Sequence, residues 1–232
     1  MALAFDHEIG TNTSGASVSS LAVTAGAAVA QFDAIVFVCR LNSGVTLQSV
    51  ADSKGNAYTV IANIDDGTLA NIGIAVANAA TALANTDTIT GTFSAGSTNV
   101  EVEAACYSGF TNHNPKKDQA SAAASGTSNS PASANITTTI AASIAIGVVA
   151  FAGTTTTFTA GGSFTKTAAS PFNVGSVANL AVEWQILAAT QTINATGTIG
   201  ASRNWAAAIV NIYDQAAAGG TEHLLSACGA GH

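Results

Sequence analysis

Four histidines, His7, His113, His223 and His232, and three cysteines, Cys39, Cys106 and Cys228, are the residues of this 232-residue chain best suited to ligate a metal or act as nucleophiles. Zinc motifs set such residues a few positions apart, so that one turn of chain presents two ligands together. No histidine pair has that spacing here. Cys228 and His232 are close, but Gly229, Ala230 and Gly231 between them impose no geometry, and two ligands do not complete a site. The histidines are therefore expected to be solvated, with no metal and no cofactor assigned. Nucleophilic hydrolysis would call for a Gly-x-Ser-x-Gly elbow, and none occurs. Glu101 and Glu103 alternate with valines, which sets them about 7 Å apart on one strand face. Charged alternation marks an outer face, so the pair is expected to be solvated rather than catalytic. Asp65, Asp66 and Gly67 have the oxygen-rich character of a calcium loop, yet Asp-Gly is also a common hairpin turn, and the turn is the preferred reading. Asp65, Asp66 and His113 are kept as a candidate ligand loop, with Ca2+ left open. No constellation supports an enzyme.

These side chains must be positioned by extended chain. Val100, Val102, Ala104 and Cys106 alternate with Glu101, Glu103 and Ala105, and Val182, Trp184 and Ile186 alternate with Glu183 and Gln185. That period of two is the mark of a strand. Elsewhere large residues alternate with small ones: Ile72, Ile74 and Val76 with Gly73, Ala75 and Ala77, then Ile144, Ile146 and Val148 with Ala145 and Gly147. Phe32 to Leu41 and Trp205 to Tyr213 are apolar almost throughout, as strands covered on both sides are. Ten to twelve strands are expected and no long helix, since no segment has an apolar stripe at helical spacing with a charged opposite face. The expected fold is all-β, a jelly-roll-like antiparallel sandwich. One domain is assigned to residues 17–214, with a flexible amino-terminal arm over 1–16, a long surface loop over 111–139 and a carboxyl-terminal arm over 215–232. Strand patterns on the two sides of that loop are alike.

Charged residues make up 8% of the chain against roughly 25% in soluble domains, while the hydrophobic fraction of 48% is ordinary. Faces that should meet water carry Ala, Gly, Ser, Thr and Asn, which suggests contact with other protein. With a net charge of -7 and only six Lys and Arg, nucleic acid and anionic membrane are disfavoured partners. The run from Ala141 to Gly153 is too short to span lipid as a helix, and Asp6 and Glu8 stand where a secretory signal would be basic. The thiols, odd in number and widely spaced, are expected to be free, and those in apolar segments buried.

The segments Asp52-Ser53-Lys54-Gly55-Asn56-Ala57-Tyr58, Tyr107-Ser108-Gly109, Phe158-Thr159-Ala160-Gly161-Gly162, Glu183-Trp184-Gln185 and Ser202-Arg203-Asn204-Trp205-Ala206-Ala207 follow one another in an order that resembles jelly-roll-like β-sandwich proteins on the virions of tailed bacteriophages and prophages. The resemblance spans Ser17 to Tyr213. It implies a non-enzymatic capsid decoration or appendage subunit, made in the host cytoplasm and located on the virion. Its partners would be copies of itself, a trimer being one closed form, and a capsid or other virion protein. The residues expected at such an interface are Ile72, Ile74 and Val76 on a flat strand and Leu224 and Leu225 in the tail. Two alternatives stay open: a module binding a surface glycan through loops near Asp65, His113 or Phe158, and a subunit of an extracellular filament joined by its arms. Trp184 and Trp205 sit on patterned strands and are expected in the core.

Overall fold

The computed structural model describes residues 2–120, 124–153, 157–174 and 177–216. Among them the chain is all-β, with no helix. The first eight strands are β1 (Ala4–Ser14), β2 (Val18–Thr24), β3 (Ala34–Leu41), β4 (Leu47–Asp52), β5 (Tyr58–Asp65), β6 (Asn71–Asn78), β7 (Thr88–Ser97) and β8 (Val100–Ser108). They form a five-stranded sheet in the order β1-β8-β3-β6-β5 and a three-stranded sheet in the order β2-β7-β4, all pairings antiparallel.

The rest of the chain follows the same plan in shorter pieces. Its strands are β9 (Pro115–Ala120), β10 (Ala124–Ser128), β11 (Ile136–Thr137), β12 (Ser143–Ala152), β13 (Phe158–Ala160), β14 (Thr165–Lys166), β15 (Phe172–Val174), β16 (Ala178–Leu187), β17 (Thr192–Ile193), β18 (Gly197–Ile199) and β19 (Arg203–Asp214). β9 and β10 both pair with β19, then come β12 and β16, and β14 and β15 both pair with β16. The short pairs β11·β17 and β13·β18 lie over this sheet. If β9 with β10, β14 with β15, and β17 with β18 are each counted as one strand, the two halves share one strand order. The alike patterns noted in the sequence are thus two copies of one topology.

The four layers enclose three apolar interiors. Ile35, Phe37 and Cys39 on β3, with Val100, Val102 and Ala104 on β8, meet Ile89 and Phe93 of the three-stranded sheet. The opposite faces of the same strands, through Val36, Val38, Ile72, Ile74, Val76 and Tyr107, meet Ile144, Ile146, Val148, Val182, Val210 and Ile212 of the second large sheet. Val149, Phe151, Ala181 and Ala207 then face Phe158 and Ile199, while Ala145 and Ile209 face Ile136 and Ala195. Both central sheets are therefore covered on both faces, which is why β3, β6, β12 and β19 read as nearly continuous apolar runs. Small residues let the outer layers approach. A Cβ on Gly73 would lie 2.6 Å from Leu47 Cβ, and one on Gly147 would lie 2.6 Å from Ala195 Cβ.

Three expectations are corrected here. The amino-terminal arm is strand β1, an integral edge of its own sheet, and much of the expected surface loop over 111–139 is strands β9 and β10, with Lys116 and Lys117 in register against Tyr213 and Ile212. Ile72, Ile74 and Val76 are at most 2% exposed and pack within the chain, so they are not a surface for another subunit. The flat neutral face was the observation behind that assignment, and the cover is the chain's own second sheet. Leu224, Leu225 and the tail from residue 217 lie outside the described residues. Cys39 and Cys106 are free and buried as expected.

Truncating Ile74 distinguishes an interior from an interface. Ile74→Ala is expected to cost about 2–5 kcal/mol in chemical denaturation and leave the mass in solution unchanged. A folded variant of wild-type stability with altered association would contradict this placement.

Candidate functional site

His113 is brought beside Phe32 rather than beside Asp65 and Asp66. Phe32 ends the turn into β3 and His113 lies in the turn between β8 and β9. Their rings stack with centroids 4.3 Å apart and planes 25° from parallel. Both have left-handed backbone, φ 75° at Phe32 and 53° at His113, which side chains other than glycine adopt at a cost. Backbone bonds hold the Phe32 turn, its N–H donating to Ala79 O at 2.8 Å and its carbonyl accepting from Asn78 Nδ2 at 3.2 Å. Phe32 is nonetheless 43% exposed. A hollow of about 220 Å³ opens beside the pair, lined by Gln31, Asp33, Phe110 and Thr111. A second, of about 330 Å³, runs from His113 to Asn78, Asn114 and Lys116.

Asp65 and Asp66 organise the β5–β6 hairpin. Asp65 accepts from the Ser43 hydroxyl at 2.8 Å and from the N–H groups of Gly44 and Gly67 at 2.6 and 2.8 Å. Asp66 accepts from the N–H groups of Thr68, Leu69 and Ala70 and from the Thr68 hydroxyl. Burial pushes both carboxyls up, and these donors outweigh it, holding both below the ordinary carboxylate value. The turn reading accounts for their contacts without a cation. Phe158 is buried and lines no ligand loop. Trp205 is buried with its indole N–H on Ser128 Oγ at 2.9 Å, and Trp184 is partly buried and stacked on Phe5 at 4.9 Å.

Glu101 and Glu103 correct a further expectation. They alternate with valines as predicted, but their face of β8 is turned to the second large sheet, and they are 0% and 1% exposed. Glu183, on β16, is also 0% exposed. Burial raises Glu101 to about 8 against the pull of the Arg40 guanidinium, raises Glu183 to about 8, and carries Glu103 well above its ordinary range, with Glu8 adding to the rise. Glu103 accepts from the Thr167 hydroxyl at 3.2 Å, and Thr167 and Ser170 share a hydrogen bond of 2.7 Å. The three acids are held in sealed interiors and not in a cleft, so they lack the substrate access of general acids.

A mixed donor set lies next to Phe32. Asp6, His7 and Cys106 bring a carboxylate oxygen, a ring nitrogen and a thiol sulfur within 4.8 Å of one another. Asp33 adds a carboxylate 3.6 Å from Cys106 Sγ. Sequence reasoning did not bring these together, because Cys106 and His7 are joined by sheet register and not by short spacing.

No protein-family profile, curated protein or solved structure matches the chain.

A buried acid raised in the folded state binds a proton there that the unfolded chain has released. Stability should therefore fall as pH rises from the ordinary glutamate range, near 4.5, toward about 8. Glu183→Gln, at a position governed by burial and backbone donors, should flatten part of that slope and raise stability at pH 8 by at least about 1 kcal/mol. Melting curves of both proteins between pH 5 and 8 check this, and parallel curves would contradict it.

Proposed function

We propose that the chain is a non-enzymatic structural protein of a virion surface, a capsid decoration or appendage subunit that works by packing against copies of itself or against a shell protein. The observation that carries this reading is the outward face of the sheet β2-β7-β4. Ser20, Ala22 and Thr24 on β2 stand in register with Thr92, Thr90 and Thr88 on β7, and Ser49 and Ala51 on β4 stand beside Thr92 and Thr90. Their neighbours Val23, Ile89, Phe93 and Leu47 point inward to the core. An outer face normally carries Lys and Glu, and this one carries no charge across three strands. Short side chains lose little conformational entropy when covered, and burial stabilises by roughly 25 cal/mol per Å² of apolar area. The winding supports the same family reading. In each half the first strand lies beside the eighth and the third beside the sixth, with the second, seventh and fourth in the facing layer, as in a jelly roll of two Greek keys, while the fifth strand departs from that plan by pairing with the sixth.

Light scattering over a range of concentrations tests it. A closed oligomer such as a trimer is expected, and Thr90→Lys should abolish it while leaving the chain folded, since a charge would then be buried unpaired. A monomer at every concentration, with no affinity for any virion particle, would overturn the reading.

The Phe32 and His113 pair favours a second reading, a glycan-binding module. An exposed ring held in strained backbone beside polar hollows offers a sugar a stacking surface with hydrogen-bond partners near it. On a glycan array, Phe32→Ala should lose all signal while retaining the oligomer. An array blank for the unmodified chain would remove this second reading alone.

A further inference from the structure

We propose that Asp6, His7, Asp33 and Cys106 form a divalent transition-metal site, with Zn2+ the best-matched occupant. The site is built by an irregularity in the sheet. On a regular strand Asp6 and His7 would point to opposite faces, but the register between β1 and β8 slips between Phe5, opposite Tyr107, and His7, opposite Cys106. Asp6 is the extra residue of this bulge, so two successive side chains stand against one partner. The result is a carboxylate, a ring nitrogen and the Cys106 sulfur within 4.8 Å of one another. The fourth donor arrives from the other side of β8. Ile35 on β3 is opposite Cys106, and Asp33, two residues earlier, places Oδ2 3.6 Å from Sγ.

The donors themselves choose the metal. Calcium and magnesium take oxygen ligands almost alone, whereas sulfur and imidazole beside carboxylates suit zinc and its neighbours in the first transition row. Asp6, His7 and Cys106 supply three donors within 4.8 Å, and Asp33, close to the sulfur alone, would have to turn inward to complete a tetrahedral shell with ligand bonds of about 2.0–2.3 Å. Without a metal the cluster is incompletely satisfied. His7 Nδ1 lies 2.9 Å from Asp6 Oδ2, but its Nε2 is buried with no hydrogen-bond partner among the described residues. A cation bound here would take the Cys106 sulfur as a thiolate and release its proton to solvent. Access exists, because Asp6 is exposed and His7 half-buried while Cys106 closes the inner end. Asp33 also lines the hollow beside Phe32 and His113, which places the metal next to the strained ring pair.

Cobalt reports this directly, since a thiolate bound to Co2+ gives a near-ultraviolet charge-transfer absorption. The full chain carrying Cys228→Ser, which removes the thiol in the tail, would be treated with a chelator and titrated with Co2+. The absorption should saturate at one ion per chain and be displaced by Zn2+. Cys106→Ser should abolish it, Cys39→Ser should leave it intact, and His7→Ala should weaken binding at least about 10-fold. His7 is at the surface of the cluster, so its variant decides the matter if loss of the buried Cys106 prevents folding. No absorption at one equivalent, or binding undiminished in His7→Ala, would overturn the site.

Discussion

The constraint on which this structure depends is that one chain covers both faces of two central sheets. A sheet with one wet face can carry charge on alternate residues, and a sheet with none cannot. β3, β6, β12 and β19 therefore have apolar or small residues at nearly every position, and each sends alternate side chains into two different interiors. Layer spacing then sets side-chain size. Ile72, Ile74 and Val76 fill the wide central interior, while Gly73 on the reverse face leaves room for Leu47. Large alternating with small along β6 is the trace of two differently filled interiors on the two sides of one strand.

That arrangement makes any charge on a central strand expensive, yet Arg40, Glu101, Glu103 and Glu183 are all buried there. Three of them have a partner nearby. Arg40 donates to the carbonyls of Asn99 and Leu69 at the sheet margin, where it also attracts Glu101. Glu103 takes the Thr167 hydroxyl, and Thr167 and Ser170 tie the chain before β15 to β16 through the Ser170 oxygen on Val182 N–H at 2.7 Å. With their affinity for protons raised, the acids enter the interior as neutral groups. The sheets are thus registered by a few polar contacts set among aliphatic ones, and the polar contacts are the part sensitive to pH.

The fold class was legible because alternation over six to ten residues is a local signal that survives in any tertiary setting. Ala34 to Leu41, Val100 to Cys106 and Val182 to Ile186 all lie on strands. What the same signal could not say is what lies across from a face. Glu101 and Glu103 read as solvated because charge on alternate residues usually meets water, and nothing local announces a second sheet above them. Ala4–Ser14 read as an arm because Asp6, Glu8, Thr11 and Thr13 dilute its apolar side, as suits an edge strand with only one partner. The donor cluster was hidden for a related reason. A metal motif read by spacing needs its ligands close in sequence, and here a bulge in β1 and the β3·β8 register do what spacing does elsewhere.

The low charge of the chain has two separable parts, and only one of them bears on the association proposed above. Burial of both central sheets explains the neutral faces of β3, β6, β12 and β19, including residues that looked like subunit contacts. It does not explain the outward face of β2, β7 and β4, where no layer among the described residues lies above Ser20, Thr90, Thr92 and Ser49, and where charge would meet water. Edge and outer strands left in water are usually guarded by Lys or Glu against unintended pairing and collapse. A face of threonine, serine and alanine forgoes that guard while keeping hydroxyls that a partner surface can satisfy. Under the assembly proposed above, this one sheet is the part of the composition that a partner would explain, a narrower and more local patch than the overall count of charges suggests.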